Sequence, residues 1–402
     1  MQSEKRKKPM HKRSSLCRPE EVAATILLFA FAVAGAFYLI FAPKLSFSEN
    51  ENRVLEQAPP LETDALLDGS FTDSLEAFVN DQFPLRTEFL SLNTSFQLLT
   101  GRKDLGSNYS AVPPEGGVYF GKKDHVYEVL LPNTTDTFRR NIQGLETFGQ
   151  ETKLPFWVVP VPSGSQEQRE NLPLFAQNHD QKEELNYIQE TMTGENVMIV
   201  DLFDTLDSWN GDFYYKTDHH WNTFGAYEGY KVLAQKMGFT PYGQDQFTFR
   251  LASNSFYGTL YSKAVNSFQT PDDLYLPEYA EPQDIVQMVG GEEHEGLYWE
   301  EYLDKKDKYS TFMGGNHSVE VVKNRNQNNG RKLLLLKDSY ANSLVPFLCL
   351  HYSEIHVIDL RYYSQNVYDY IEENGITEAA AVYSMKQLCD VDISNKLAVS
   401  SK

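Results

Sequence analysis

From Arg331 to Leu348 the chain reads RKLLLLKDSYANSLVPFL. Leu333 to Leu336 form a short, unbroken apolar run, which reads as a strand buried on both faces. A polar turn, Lys337-Asp338-Ser339-Tyr340, follows it, and a helix is expected from Ala341 to Leu350. The same rhythm recurs on either side. Phe156 to Val161 (FWVVPV), Val197 to Val200 (VMIV), Ile355 to Ile358 (IHVI) and Ala379 to Tyr383 (AAAVY) read as further buried strands. Between them lie helical periods: Phe138, Ile142 and Leu145; Tyr227, Tyr230, Val232 and Leu233; and Val367 to Asn374, with Gly375 as a C-terminal stop. Continuous apolar strands alternating with helices predict an α/β fold, a mainly parallel sheet with helices on both faces. The stretch from about Phe239 to Asn329, rich in Asn, Gln, Tyr and acidic residues, breaks the rhythm and reads as an insertion near one edge.

The 402 residues allow two or three folded units, and 41% hydrophobic with 23% charged residues excludes wholesale disorder. Lys and Arg number 36 against 56 Asp and Glu, a formal charge of −20. Seven of the basic and two of the acidic residues fall in the first twenty positions, so everything after Glu20 carries 29 against 54. A body that acidic repels nucleic-acid phosphates, and no basic stripe offsets the repulsion. Of the three cysteines, Cys17 lies in the basic tail, which leaves only Cys349 and Cys389 able to pair in the body. Two separate thiols packed as small hydrophobes are expected instead.

Val22 to Phe41, VAATILLFAFAVAGAFYLIF, is twenty residues without a charge. At 1.5 Å per residue it matches a hydrocarbon core of about 30 Å. The preceding cluster, Glu4 to Arg13 (EKRKKPMHKR), belongs on the cytoplasmic side, so the body should face outward. Ala32-Val33-Ala34 and Ala34-Gly35-Ala36 resemble signal-peptide cleavage sites, but the apolar run continues past them to Phe41, which favours an uncleaved single-pass anchor in the cell membrane. The expected organisation is a basic cytoplasmic tail (1–20), a transmembrane anchor (21–43), an extracellular stalk with a small helical element (44–115) and the α/β domain (116–402, with the insertion at about 239–329). Within the stalk a helical stretch runs from Thr72 to about Leu99, with Pro84 forcing a kink or boundary.

Working residues of such a sheet gather beyond the carboxyl ends of its strands. Ser339, just after the Leu333–Leu336 strand, would sit at a helix N-terminus, where backbone N–H groups stabilise a developing oxyanion. That suits a nucleophile. Asp338 or Ser339 could equally be a plain helix cap. A second segment, Tyr214-Tyr215-Lys216-Thr217-Asp218-His219-His220-Trp221-Asn222, carries an Asp and a His two positions apart on one loop. Asp218 and His220 could supply the orienting carboxylate and the base that a serine needs. A solvated loop leading into the helix from about Phe224 is one competing reading. A metal site of Asp218, His219 and His220 is another, disfavoured because no HExxH-type spacing accompanies the adjacent histidines. Neither a metal nor a cofactor is expected.

Asp218-His219-His220-Trp221 matches the motif of the bacterial DHHW family, which this sequence resembles from about Ser48 to its end. More distantly it resembles the periplasmic alginate O-acetyltransferases of the SGNH hydrolase-like group. The specific part is the Asp-x-His-Trp block followed about 120 residues later by Lys337-Asp338-Ser339-Tyr340. Glu51-Asn52-Arg53 with Leu55, Asp81-Gln82-Phe83-Pro84-Leu85-Arg86 and Val118-Tyr119-Phe120-Gly121 are supporting blocks. The resemblance implies an SGNH hydrolase-like sheet and a triad in which Ser339 is nucleophile, His220 general base and Asp218 its orienter. The order Asp, His, Ser reverses that of ordinary SGNH hydrolases and is shared with the acetyltransferases. For the oxyanion and substrate groups the candidates are Gly315 and Asn316 of Gly314-Gly315-Asn316, with Tyr340, Trp221 and Arg361.

The expected function is that of a membrane-anchored, extracytoplasmic O-acyltransferase, most simply an O-acetyltransferase, acting on an envelope or exported polysaccharide through an acyl-serine. A multi-span membrane O-acyltransferase would pass the acyl group outward as its partner. A carbohydrate acetylesterase with the same residues is the runner-up. A non-catalytic surface protein that binds glycan or protein is the alternative of another class, with Tyr214, Tyr215, Trp221, Tyr257, Tyr261, Tyr362 and Tyr363 available for sugar stacking.

Overall fold

The computed structural model describes residues 18–105, 116–132, 135–207 and 211–398. The basic cluster Glu4 to Arg13 and Cys17 lie outside the described residues. The chain forms two compact units, one of residues up to Ser48 with Arg53–Phe89, the other of Glu49–Asn52 with Leu90 onward.

In the first unit, Pro19–Phe41 is one helix, long and apolar enough to cross a membrane, with only Gly35 buried along it. By length and composition it would serve equally as an anchor or a signal segment. Two strands, Phe47–Ser48 and Arg53–Val54, pair antiparallel. The Arg53 guanidinium donates to both oxygens of Asp81 (2.8 and 2.5 Å), so two of the supporting sequence blocks meet in one ion pair. The helix Ser70–Asp81 ends before Pro84 and the next begins at Arg86, which is the boundary that proline imposes.

The second unit is built on an eight-stranded sheet. Its strands, in chain order, are β1 (Phe156–Val161), β2 (Val197–Ile199), β3 (Ile285–Val289), β4 (Glu292–Glu295), β5 (Val319–Asn324), β6 (Lys332–Lys337), β7 (Glu354–Ile358) and β8 (Glu378–Ser384). The order across the sheet is β4-β3-β5-β7-β6-β8-β1-β2. The five strands from β7 to β2 are parallel, and β5, β3 and β4 extend one edge antiparallel. All three antiparallel strands come from residues 285–324, the region in which the apolar rhythm breaks. The rest of that region folds as the hairpin Phe247–Phe256 with Asp272–Tyr279 and as short 3₁₀ turns.

The sheet is covered on both faces, and the leucines of β6 show how. Leu333 and Leu335 enter one core with Trp221, Tyr230 and Phe347, whereas Leu334 and Leu336 enter the other with Phe138, Ile142 and Ile188. β1 and β8 alternate in the same way, since successive strand side chains point to opposite faces. Helix Thr223–Lys236 packs on the first face, and helices Thr137–Thr152 and Lys182–Thr191 on the second. Cys349 and Cys389 are both free, one in each core.

The helix expected after Ser339 is shorter and tighter than the sequence suggests. Ser339–Ser343 is a 3₁₀ turn and only Val345–Leu348 is α-helical. Pro346 supplies no N–H, so a longer α-helical ladder through this point would lack a bond. The macrodipole available at Ser339 is correspondingly small.

After β6 the chain crosses to β7 through Leu344–Leu348, on the first face, and then to β8 through helix Val367–Asn374, on the second. β6 is therefore the strand at which the connections diverge, and a crevice opens beyond its carboxyl end.

One buried acid gives a pH-dependent marker of this body. Burial pushes the Glu167 carboxyl up to about 7, against which the Asp204 N–H donates to it at 2.8 Å. A carboxyl raised in the folded state gives up stability as pH climbs from its unfolded value through 7. Glu167→Gln, which cannot ionise, is expected to match wild type in thermal melting at pH 4 and to gain on the order of 3 kcal/mol by pH 8. A constant difference across that range would contradict the assignment.

Candidate active site

The Asp218–Trp221 block precedes the helix Thr223–Lys236, whose first turn is capped by Asn222 Oδ1 accepting from the N–H groups of Phe224 and Gly225 (both 3.0 Å). Thr217 is fixed from below by Asp272, which accepts from its N–H (2.8 Å) and its hydroxyl (2.5 Å). Between these two anchors the loop turns Asp218 and His220 the same way. Asp218 Oδ1 accepts from the His220 N–H at 3.0 Å and lies 2.5 Å from His220 Nδ1. His220 Nε2 lies 2.6 Å from Ser339 Oγ, a residue 119 positions further along the chain. A carboxylate only accepts, so Nδ1 carries the proton and Nε2 offers its lone pair to the serine hydroxyl. A hydroxyl in that position can give its proton to the imidazole as its oxygen attacks an electrophile.

The electrostatics hold the acid ionised. Burial alone would raise the Asp218 pKa, but the neighbouring His219 and His220 and the hydrogen bonds from His220 and the Thr259 N–H hold it far below the ordinary carboxylate range. Its Oδ2 accepts from Thr259 N (2.8 Å) and Thr259 Oγ1 (3.1 Å). His219 Nδ1 lies 2.7 Å from the same hydroxyl, and burial, then the proximity of His220, push its pKa down to about 4. Asp218, His219 and His220 offer ligand atoms within 4.8 Å of one another. Both His220 nitrogens are already engaged, so a metal ion bound there would compete with the serine.

The turn that carries Ser339 is tied down at both ends. Asp338 is the cap, its Oδ1 accepting from Tyr340 N (3.0 Å), and its Oδ2 accepts from the N–H and hydroxyl of Ser384 at the end of β8 (2.8 and 2.7 Å). Capping thus falls to Asp338, and Ser339 Oγ is left to His220. Trp221, wholly buried, donates from Nε1 to Tyr340 O (2.9 Å) and Ser343 Oγ (3.0 Å), and the Tyr340 hydroxyl donates to His219 O. Both aromatics therefore lock the two segments together, and neither is free to stack on a ligand. The Gly315 N–H donates to Phe312 O (3.2 Å), which removes it as an oxyanion donor. Asn316 lines a pocket of about 190 Å³ together with His220, Ser339 and Asn342. Arg361 is held on Asp359 by two nitrogens (2.9 and 2.5 Å) and lines a second cavity, of about 270 Å³, which Ser339 also lines.

Tyr309, Gly258, Thr259 and Lys306 join the site without any signal in the sequence. The Tyr309 ring stacks on His220, centroids 3.9 Å apart and planes 9° from parallel, and its hydroxyl donates to Ser339 O (3.0 Å). Lys306 lines the pocket beside the Tyr257 and Tyr261 rings, and burial pushes its pKa down to about 8. All four lie between 258 and 309, where no periodic pattern marks them. Asn342 could have been found, since it lies in the same Asp-Ser-Tyr-Ala-Asn-Ser turn as Ser339.

The family model described as DHHW protein matches residues 174–358. Asp218, His220 and Ser339 all fall inside that match. No curated protein is significantly similar to the chain in sequence. Among solved structures, a DHHW family protein from Eubacterium siraeum matches with a TM-score of 0.61 at 22% identity, over 74% of this chain and all of that one. Bacillus cereus PatB1 matches at 0.58 and 24%, over 69% of this chain and 98% of that one, and it has also been solved with a sulfonyl adduct. The O-acetyltransferase domain of Pseudomonas putida AlgJ matches more loosely, at 0.44 and 13%, over 68% of this chain and 93% of that one, too loosely to bear on the site. The first two share the fold, a large mostly parallel sheet.

Gly258 shows how closely this site is packed. A Cβ there would collide with the Asp218 side chain at its Cβ and carboxylate. Gly258→Ala is expected to fold, because the three nearest atoms all belong to one side chain, and to displace that carboxylate from His220. A displacement of that order costs about 100-fold in turnover. Ester hydrolysis at the wild-type rate by a folded Gly258→Ala chain would refute the account.

Proposed function

We propose that this chain is a membrane-anchored O-acyltransferase, most simply an O-acetyltransferase, that modifies hydroxyls of an envelope or exported polysaccharide on the extracytoplasmic side. The observation that carries the reading is His220 held between Asp218 and Ser339 at 2.5 and 2.6 Å, at the carboxyl end of the strand where the sheet connections diverge. His220 takes the Ser339 proton as Oγ bonds to the acyl carbon. The bond to the donor's leaving group then breaks, and that group leaves with the proton from His220. An acceptor hydroxyl next gives its proton to His220 while its oxygen attacks the acyl-serine, forming the sugar ester and returning the proton to Ser339. Ser339 N–H and Asn316 Nδ2, for which no partner is found among the described residues, would be the donors to the oxyanion.

The anchor reading rests on Pro19–Phe41 and the basic cluster before it, which orients the body outward. Acyl groups are activated inside the cell, so an outward-facing transferase needs a multi-span membrane O-acyltransferase as its supplier. Asn316 is exposed and Asp307 on the pocket's rim is exposed as well, so water reaches the serine. That observation supports the second reading, a carbohydrate acetylesterase with the same residues.

The test uses the full chain in detergent with a chromogenic acetyl ester. Ser339→Ala and Asp218→Asn are each expected to lose turnover by about 10⁴-fold while circular dichroism stays unchanged. His220→Ala should behave like Ser339→Ala. A sulfonyl fluoride, chosen because the PatB1 structure holds a sulfonyl adduct, should add to Ser339 in wild type and fail to add in Ser339→Ala. With an oligosaccharide present, acetylated sugar supports transfer and free acetate alone supports the esterase. No turnover and no adduct in wild type would leave the non-catalytic binding protein as the surviving reading.

A further inference from the structure

Lys337 ends β6, one residue before the Asp338-Ser339 turn, and its side chain is completely buried. Lysine is almost never fully buried without a charged partner, yet Lys337 forms no ion pair among the described residues. Its ammonium donates instead to two amide oxygens, Asn316 Oδ1 at 2.8 Å and Asn342 Oδ1 at 2.6 Å. Burial pushes its pKa down, opposed by the charges of Glu320 and Asp359. An ammonium has three donors and no acceptor, so both amides must turn their oxygens toward it and their NH₂ groups away. For Asn342 the NH₂ group then meets Gly315 O at 3.1 Å, which fixes the Gly314-Gly315-Asn316 turn. For Asn316 it has no partner among the described residues, and Asn316 lines the pocket that holds Ser339 and His220.

An asparagine that could flip would present its oxygen to that pocket as readily as its nitrogen, and the oxygen would repel a developing oxyanion. We propose that Lys337 is a positioning residue for the oxyanion site: it locks the Asn316 amide with Nδ2 toward the pocket and polarises it from behind. A hydrogen-bond donor backed by a cation is a stronger donor than the amide alone. Lys337 itself touches no reacting atom. The inference rests on the acyl-serine reading above.

The full chain is assayed with the same ester as wild type, Lys337→Met, Asn316→Ala and the double variant. Each single variant is expected to lose about 100-fold in kcat, the scale of one lost oxyanion donor, with KM little changed. The double variant should lose no more than either single one, because both routes from Lys337, the direct bond and the one through Asn342 and Gly315 O, end at the Asn316 amide. Losses that multiply, or a folded Lys337→Met with wild-type kcat, would overturn the proposal. If Lys337→Met does not fold, Asn316→Asp decides. It keeps an oxygen for Lys337 but lacks the Nδ2 donor, so thermal stability should hold while kcat falls by the same factor. Undiminished turnover in folded Asn316→Asp would overturn it equally. Wild-type turnover that Ser339→Ala abolishes shows that the acyl-serine reading survives, whichever way Lys337 falls.

Discussion

Everything in the second unit is organised by the burial of β6 on both faces. Its four leucines divide between two cores, so the sheet must be covered above and below, and its neighbours β7 and β8 must be reached by connections on opposite sides. A strand so placed leaves a gap beyond its carboxyl end, where the two connections part. The Asp338-Ser339 turn occupies that gap because it follows β6 without an intervening residue to spare.

The turn would be loose if it relied on its own helix, which is a 3₁₀ turn and one short α-helical turn. It is held by polar ties instead. Asp338 joins it to the end of β8, Trp221 and Tyr340 join it to the Asp218–Trp221 loop, and Lys337 joins it to the Gly314–Asn316 turn. Each tie satisfies a buried polar group whose loss of water would otherwise cost about 1–3 kcal/mol. The same bonds that make the buried groups tolerable also fix the distance from His220 to Ser339. Stability and site geometry are therefore one set of interactions here.

The antiparallel edge and the segment around it contribute differently. Residues 247–324 place Gly258, Thr259, Lys306 and Tyr309 against the Asp218–His220–Ser339 row from outside the parallel core. Tyr309 stacked on His220 covers one face of the imidazole and lines the pocket with it. This region lines the pocket beside the serine, while the parallel sheet sets where the serine is.

The sequence by itself determined the parallel strands, the break at Pro84, the apolar helix near the N-terminus and two candidate segments, an Asp-x-His loop and a Ser after a buried strand, which only the fold brings within 2.6 Å of each other. Those features are local. Apolar runs, a proline, a charge-free span and a two-residue spacing act through the residues beside them. Tertiary structure alone decided that Trp221 and Tyr340 serve as braces, that the Gly315 N–H is already taken and that Tyr309 covers His220. It also decided that Lys337 reads the orientation of two asparagines. Asn316 and Asn342 lie 26 residues apart and on different elements, and which end of an amide faces a pocket depends on what stands behind it. No spacing along the chain encodes that, because the constraint is made only when β6 places one buried ammonium between them.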